Sequence, residues 1–184
     1  MERAILESER LILRPVKLSD ADAVYEHAKH RVISRYTSNI PYPYPKESAK
    51  PFLRKCLKKL KDNEEYTFAM VPKNKKTLIG IVSLHLKWEN KRAELGYWLG
   101  KKYWGNGYMP ETVKTILDFG FNKLKLNKIY ARAFVVNSAS KRVLEKSGFK
   151  KEGTLQQHYF KNGRFYDAYS FSITKSQYKT KNKK

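Results

Sequence analysis

The segment RAELGYWLGKKYWGNGYMPETV, residues 92–113, decides the fold. Its first half, Ala93 to Leu99, is apolar and aromatic and reads as a strand. Gly105-Asn106-Gly107-Tyr108 then makes a turn, after which Val113, Ile116, Leu117 and Phe121 recur at helical spacing. Pro110 suits the first helical turn because it has no N–H to leave unpaired, and Glu111 is tolerated there as an early acidic residue. Lys128 to Val136 follows as a β-branched and aromatic strand. Strand, glycine turn, helix, strand is a phosphate-binding arrangement: glycines let backbone N–H groups converge on one point, and the helix end adds positive potential. Alone, a glycine pair before a helix is more often plain turn chemistry, so the reading rests on its surroundings.

Upstream, Tyr66 to Val71 and Leu78 to Leu86 read as strands with turns at Lys73 to Lys76 and Trp88 to Lys91, which makes an antiparallel meander with the strand at 93–99. Ser48 to Lys61 places Phe52, Leu53, Cys56, Leu57 and Leu60 on one face of an amphipathic helix. Asn39 to Pro45 carries prolines at 41, 43 and 45 among tyrosines and is a loop suited to lining a substrate mouth. Leu11 to Leu13 is a short strand ending at Arg14-Pro15, and Ser19 to Asp22 caps a helix running to His30. Downstream, Ser138 to Lys146 is a helix ended by Gly148, and Phe160 to Ile173 is a hairpin turning at Asn162-Gly163. These elements give a mixed α/β sandwich, a twisted sheet of about seven strands with helices on both faces. One domain is expected over residues 1–175, with a frayed basic tail over 176–184.

Composition narrows the class. No apolar run approaches the roughly 20 residues of a membrane helix, and the acidic start at Glu2, Glu7 and Glu9 is unlike an export signal. Cys56 is the only cysteine, so an internal disulfide and a thiolate metal cluster are excluded, and a cytoplasmic location is favoured. The net charge of +22 attracts RNA, ribosomes or other acidic surfaces, or reflects a lysine-rich proteome. No nucleic-acid-binding motif accompanies the charge. The histidines at 27, 30, 85 and 158 have no spacing typical of a zinc site or triad and read as structural or exposed.

Taken with NSASKRVLEKSGF at 137–149 and EGTLQQHYFKNGRFYDAYSFSI at 152–173, the opening segment resembles the GNAT acetyltransferases, in particular their ribosomal-protein N-terminal acetyltransferase branch. ESERLILRPVKLSDAD at 7–22 and IGIVSLHLKWENKRAELGYWL at 79–99 match the same branch, so the resemblance runs from about Ser8 to Ile173.

The resemblance implies acetyl-CoA as cosubstrate, with no metal, and the acyl-CoA N-acyltransferase fold. It places the pyrophosphate on Trp104, Gly105, Asn106, Gly107, Tyr108 and Met109, although Trp104 and Met109 stand where the family usually has Gln or Arg and Gly or Ala. It implies that the strand at 93–99 splays from the next one, so that pantetheine pairs with backbone near Tyr97, Trp98 and Leu99 and touches Asn137. A backbone N–H there would stabilise the oxyanion. Glu94 becomes the candidate base; the bland alternative is a surface glutamate paired with Arg92, a cross-strand lysine or nothing. The position of the family's usual tyrosine acid is Leu144, which makes Ser140 the candidate donor to the leaving thiolate, against plain helix capping by Asn137 or Ser138. His158, Tyr159, Phe160, Tyr166 and Asp167 line the acceptor pocket or serve the core.

The implied reaction is acetyl transfer to a primary amine, with a protein N-terminus such as that of a ribosomal protein as the preferred acceptor. The rivals are a small-molecule acetyltransferase acting on a polyamine, antibiotic or amino sugar, and a non-catalytic acyl-CoA or ribosome binding module. A homo-oligomer is compatible with the sequence.

Overall fold

The computed structural model describes residues 4–182. Eight strands form one sheet in the order β1-β2-β3-β4-β5-β6-β8-β7. They are β1 (Leu6–Glu7), β2 (Leu11–Pro15), β3 (Glu65–Pro72), β4 (Gly80–Lys87), β5 (Arg92–Leu99), β6 (Lys128–Phe134), β7 (Lys150–Lys161) and β8 (Arg164–Thr174). The expected seven become eight because Leu6 and Glu7 add a two-residue edge strand on Leu13 and Ile12, too short to carry an alternation signal.

Alternation along the strands separates two cores. Phe68 and Met70 of β3 face a large cluster built with α4 (Tyr108–Asp118) and α5 (Ser138–Lys146), while Ala69 and Val71 face a smaller one built with α1 (Ala21–Ala28) and α3 (Ala49–Lys61). With helices on both faces, all of β3 is buried. A short α2 (Arg31–Tyr36), not anticipated from the sequence, follows α1. A π-helical turn at Phe119–Lys123 extends α4 and buries Phe119 and Phe121.

Every pairing is antiparallel except β5 with β6. That parallel ladder holds only Arg92↔Lys128, Ala93↔Ile129 and Glu94↔Tyr130. Beyond Glu94 the strands part, while β5 stays paired with β4 as far as Leu99↔Gly80. The sheet therefore opens into a wedge halfway along β5.

The expected hairpin turns at Asn162 (φ +50°) and Gly163 (φ +73°), both left-handed as a tight primed turn requires. Its first strand runs back to Lys150 and is kinked by register shifts between Leu155 and Tyr159, where Gln157 N–H turns aside to Asp167 Oδ1 at 2.8 Å. The expected frayed tail instead begins with a helix, α6 (Lys175–Asn182), because Tyr178 finds a buried seat against Phe121.

Candidate active site

The glycine turn sits at the N-terminus of α4 with Gly105 at φ +79° and Gly107 at φ +76°. Both angles lie in the left-handed region that glycine enters without steric cost. No heavy atom lies within 4 Å of a Cβ built on Gly105, so the turn is open to a ligand and fits a pyrophosphate on backbone N–H groups. Met109 is buried in the main core, so its bulk is directed into the protein.

Side chains from the other end of the chain fasten this turn. Arg10 Nη1 donates to the Asn106 carbonyl at 2.9 Å, and Arg10 Nε donates to Glu111 Oε2 at 2.7 Å. Ser8 Oγ and Arg10 N–H both donate to Glu111 Oε1. Burial alone would raise the Glu111 pKa, but the hydrogen bonds from Ser8 and Arg10 prevail and lower it. Trp104 closes the other side, its indole N–H donating to the Leu99 carbonyl at 2.7 Å.

A cleft of about 410 Å³ runs from this turn into the wedge. Gly105, Gly107, Tyr108 and Met109 line one side, and Asn137, Ser140 and Val143 line the other, with Tyr97 to Leu99 between them. Asn137 caps α5 with its own side chain, Oδ1 accepting Ser140 N–H at 3.0 Å. The Ser140 hydroxyl is thereby left for another partner, the Tyr97 hydroxyl at 2.8 Å. Burial pushes the Tyr97 phenol up to about 12 against the opposing hydrogen bond from Ser140, so it stays protonated at neutral pH.

A second cleft, of about 780 Å³, opens on the α1 and α3 side and meets the first at Tyr36, Thr37, Tyr97 and Trp98. Asn39, Ile40, Pro41 and Tyr44 of the proline loop and Tyr159 of the hairpin form part of its rim. Lys161 Nζ holds that loop by donating to the carbonyls of Ser34, Thr37 and Ile40 at 2.7, 2.6 and 2.7 Å.

Glu94 lies in this second cleft, and its partner is neither Arg92 nor a lysine. Arg132 Nε donates to Glu94 Oε1 at 2.9 Å and Arg132 Nη2 to Glu94 Oε2, while Nη1 reaches His158 Nε2 at 2.7 Å. The hydrogen bond to Glu94 raises the Arg132 pKa. Glu65, 4% exposed, is a further carboxylate in the same cleft. It accepts from Lys59 Nζ at 2.7 Å, from Thr67 Oγ1 at 2.6 Å and from His85 Nδ1 at 2.8 Å. Burial would raise its pKa, and these bonds together with the His85 charge outweigh that and bring it down to about 2.

Sequence reasoning missed the Tyr97 side chain, α2 and the Glu65–His85 pair. Only α2 had a readable signal, Val32, Ile33 and Tyr36 at helical spacing.

Comparison with known proteins agrees with this geometry. The profile of the acetyltransferase (GNAT) domain matches residues 10–150. The uncharacterized N-acetyltransferase YoaA of Bacillus subtilis is 33% identical over 172 residues, covering 93% of this chain and 97% of that protein. The solved spermidine N-acetyltransferase of Vibrio cholerae, in complex with CoA and spermine, superposes with a TM-score of 0.80 at 29% identity, over 92% of this chain and 98% of that one. RimL, a ribosomal L7/L12 alpha-N-protein acetyltransferase in complex with coenzyme A, superposes with a TM-score of 0.86 at 19% identity, over 93% and 98%. A wedge opening beyond Glu94, a glycine turn at a helix N-terminus and a family match over most of the chain lead to one conclusion: this protein belongs to the GNAT family of N-acetyltransferases.

Proposed function

We propose that the enzyme transfers an acetyl group from acetyl-CoA to the N-terminal amine of a protein, with ribosomal proteins as the first candidates. Acetyl-CoA would lie in the smaller cleft, its pyrophosphate on the turn from Trp104 to Met109 and its pantetheine against Tyr97 to Leu99 and Asn137. The amine would arrive through the larger cleft, and the two would meet beside Tyr97 and Trp98. Ser140 and Tyr97 are suited to return a proton to the leaving thiolate, since Tyr97 lines both clefts, its hydroxyl meets that of Ser140, and Tyr97 stays protonated.

The observation that carries the choice of acceptor is charge balance. Each carboxylate of the larger cleft already has a cation, Glu65 with Lys59 and Glu94 with Arg132. A polyamine site needs surplus negative charge, whereas a single terminal amine on a neutral peptide does not. The +22 net charge would also draw the enzyme towards the ribosome. The similarity to a spermidine acetyltransferase favours a polyamine as the second reading. Thiol release from acetyl-CoA, compared across alanine- and serine-starting ribosomal-protein peptides, spermidine and an aminoglycoside, separates them. Turnover on spermidine without turnover on the peptides would reject the protein-terminus reading.

A further inference from the structure

Glu65 and His85 form a buried-to-exposed pair that spans two strands. Glu65 begins β3 and His85 lies opposite it on β4, so the ladder itself sets the carboxylate against the imidazole. The Glu65 side chain is 5% exposed and that of His85 is 45% exposed, so the pair runs from the interior into the acceptor cleft. Thr67 Oγ1 and Lys59 Nζ also donate to Glu65 and fix its plane. Glu65 is ionised at neutral pH and can only accept, so the shared hydrogen resides on His85 Nδ1. In the neutral form of the ring the lone pair is therefore on Nε2, the nitrogen on the far side of the ring.

That nitrogen lies beside Gly96, and His85 lines the larger cleft. A Cβ built on Gly96 would lie 3.5 Å from His85 Nε2, and Gly96 immediately precedes Tyr97, where the two clefts meet. Because Gly96 has no side chain, nothing of its own stands between the imidazole and the wedge. Glu94, the register neighbour of His85, has both oxygens occupied by Arg132.

We propose that His85 Nε2 takes the proton from the acceptor ammonium, with Glu65 as the positioning residue that fixes the imidazole's tautomer and orientation. The assignment rests on the larger cleft being the acceptor site. One proton passes from the ammonium to Nε2, directly or through one water, and the freed lone pair forms a C–N bond to the acetyl carbonyl carbon. His85 passes this first proton to solvent, the C–S bond breaks as the oxyanion's electron pair re-forms the carbonyl, the thiolate takes a proton from the Tyr97–Ser140 pair, which recovers one from solvent, and the second amine proton leaves through His85 to solvent. The net products are the amide, the free thiol and one proton.

The charged and titratable groups that line the larger cleft with His85 are Glu65 on β3, Lys59 on α3, Glu94 and Tyr97 on β5, Arg132 on β6, Tyr159 on β7, Tyr36 on α2 and Tyr44 in the proline loop. Cys56 behind Glu65 stays a neutral thiol, its pKa raised to about 11 by burial.

The test compares wild type, His85→Gln, Glu65→Gln and Glu94→Gln on an alanine-starting peptide, with acetyl-CoA affinity and melting temperature recorded for each. The proposal expects His85→Gln to lower kcat/KM by about 100-fold near neutral pH, with the loss shrinking as pH rises and the amine deprotonates itself. Added imidazole should partly restore a His85→Gly variant, a response that a structural role would not produce. Glu65→Gln should retain acetyl-CoA binding and show a smaller loss, with the kcat/KM pH profile displaced. If His85→Gln keeps wild-type kcat/KM across the pH range, or if Glu94→Gln alone abolishes the pH dependence, the assignment is overturned. Should wild type ignore the peptide and acetylate spermidine, the acceptor reading fails by itself and the same four proteins are compared on spermidine.

Discussion

The Tyr97 hydroxyl lies 2.8 Å from Ser140 Oγ, so β5 and α5 meet through two residues 43 apart in sequence, the pair proposed above to protonate the leaving thiolate. Ser140→Ala and Tyr97→Phe are each expected to lower kcat by about 100-fold while leaving acetyl-CoA affinity nearly unchanged. Because the two hydroxyls act as a unit, the double variant should be little worse than the more damaged single one. Steady-state kinetics with calorimetric cosubstrate binding checks this; fully additive losses would show independent roles.

The left-handed turn makes a graded prediction. Gly107→Ala places a methyl at φ +76° and 3.3 Å from Arg10 Nη2, whereas Gly105→Ala at φ +79° meets nothing within 4 Å. Each substitution stores about 1–2 kcal/mol of backbone strain, which corresponds to a rise in the acetyl-CoA Kd of roughly 5- to 30-fold where the turn distorts to relieve it. Gly107→Ala should be the worse of the two, as titration calorimetry would read.

Lys161→Met removes the ammonium that ties the Ser34 carbonyl of α2 to those of Thr37 and Ile40 in the segment after it. The Ser34 carbonyl keeps the Thr37 N–H, but leaving those of Thr37 and Ile40 without the ammonium should destabilise the fold by about 1–3 kcal/mol and raise KM for the acceptor more than that for acetyl-CoA. A thermal melt and the two Michaelis constants decide it, and equal rises in both constants would refute a role confined to the acceptor loop.

Acid should weaken the fold through Glu65. Its pKa is brought down to about 2 in the fold from the ordinary carboxylate value of 4.5, so its stabilisation is complete above about pH 4.5 and is lost as pH falls towards 2. The shift corresponds to at most on the order of 3 kcal/mol. Denaturant titrations between pH 6 and pH 3 should show a steeper acid loss in wild type than in Glu65→Gln.

What the sequence made legible was local. The bounds of α5 could be read because Asn137 caps one end and Gly148 stops the other, and Asn162-Gly163 fixed the hairpin. The parting of β5 from β6 came from family resemblance, and the ladder ending at Glu94 shows it. Partnerships across strands were not legible. Glu65 and His85 are 20 residues apart and Glu94 and Arg132 are 38 apart, and each pair exists only through the strand register. Nothing in the residues around His85 distinguishes a cleft imidazole from an idle surface one until the carboxylate behind it is seen. The helix α6 was hidden for a related reason, since its lysines conceal that Tyr178 has a seat on Phe121.

The shortness of the β5–β6 ladder has a kinetic consequence. With the strands joined at three residue pairs and parted thereafter, the sheet acts as a partition with one aperture, and the proposed sites give each reactant its own side from which to approach it. Neither has to leave before the other enters. Acetyl-CoA and amine can therefore be held together, and initial-rate plots should intersect, without the parallel lines of an enzyme that carries the acetyl group on itself between two half-reactions.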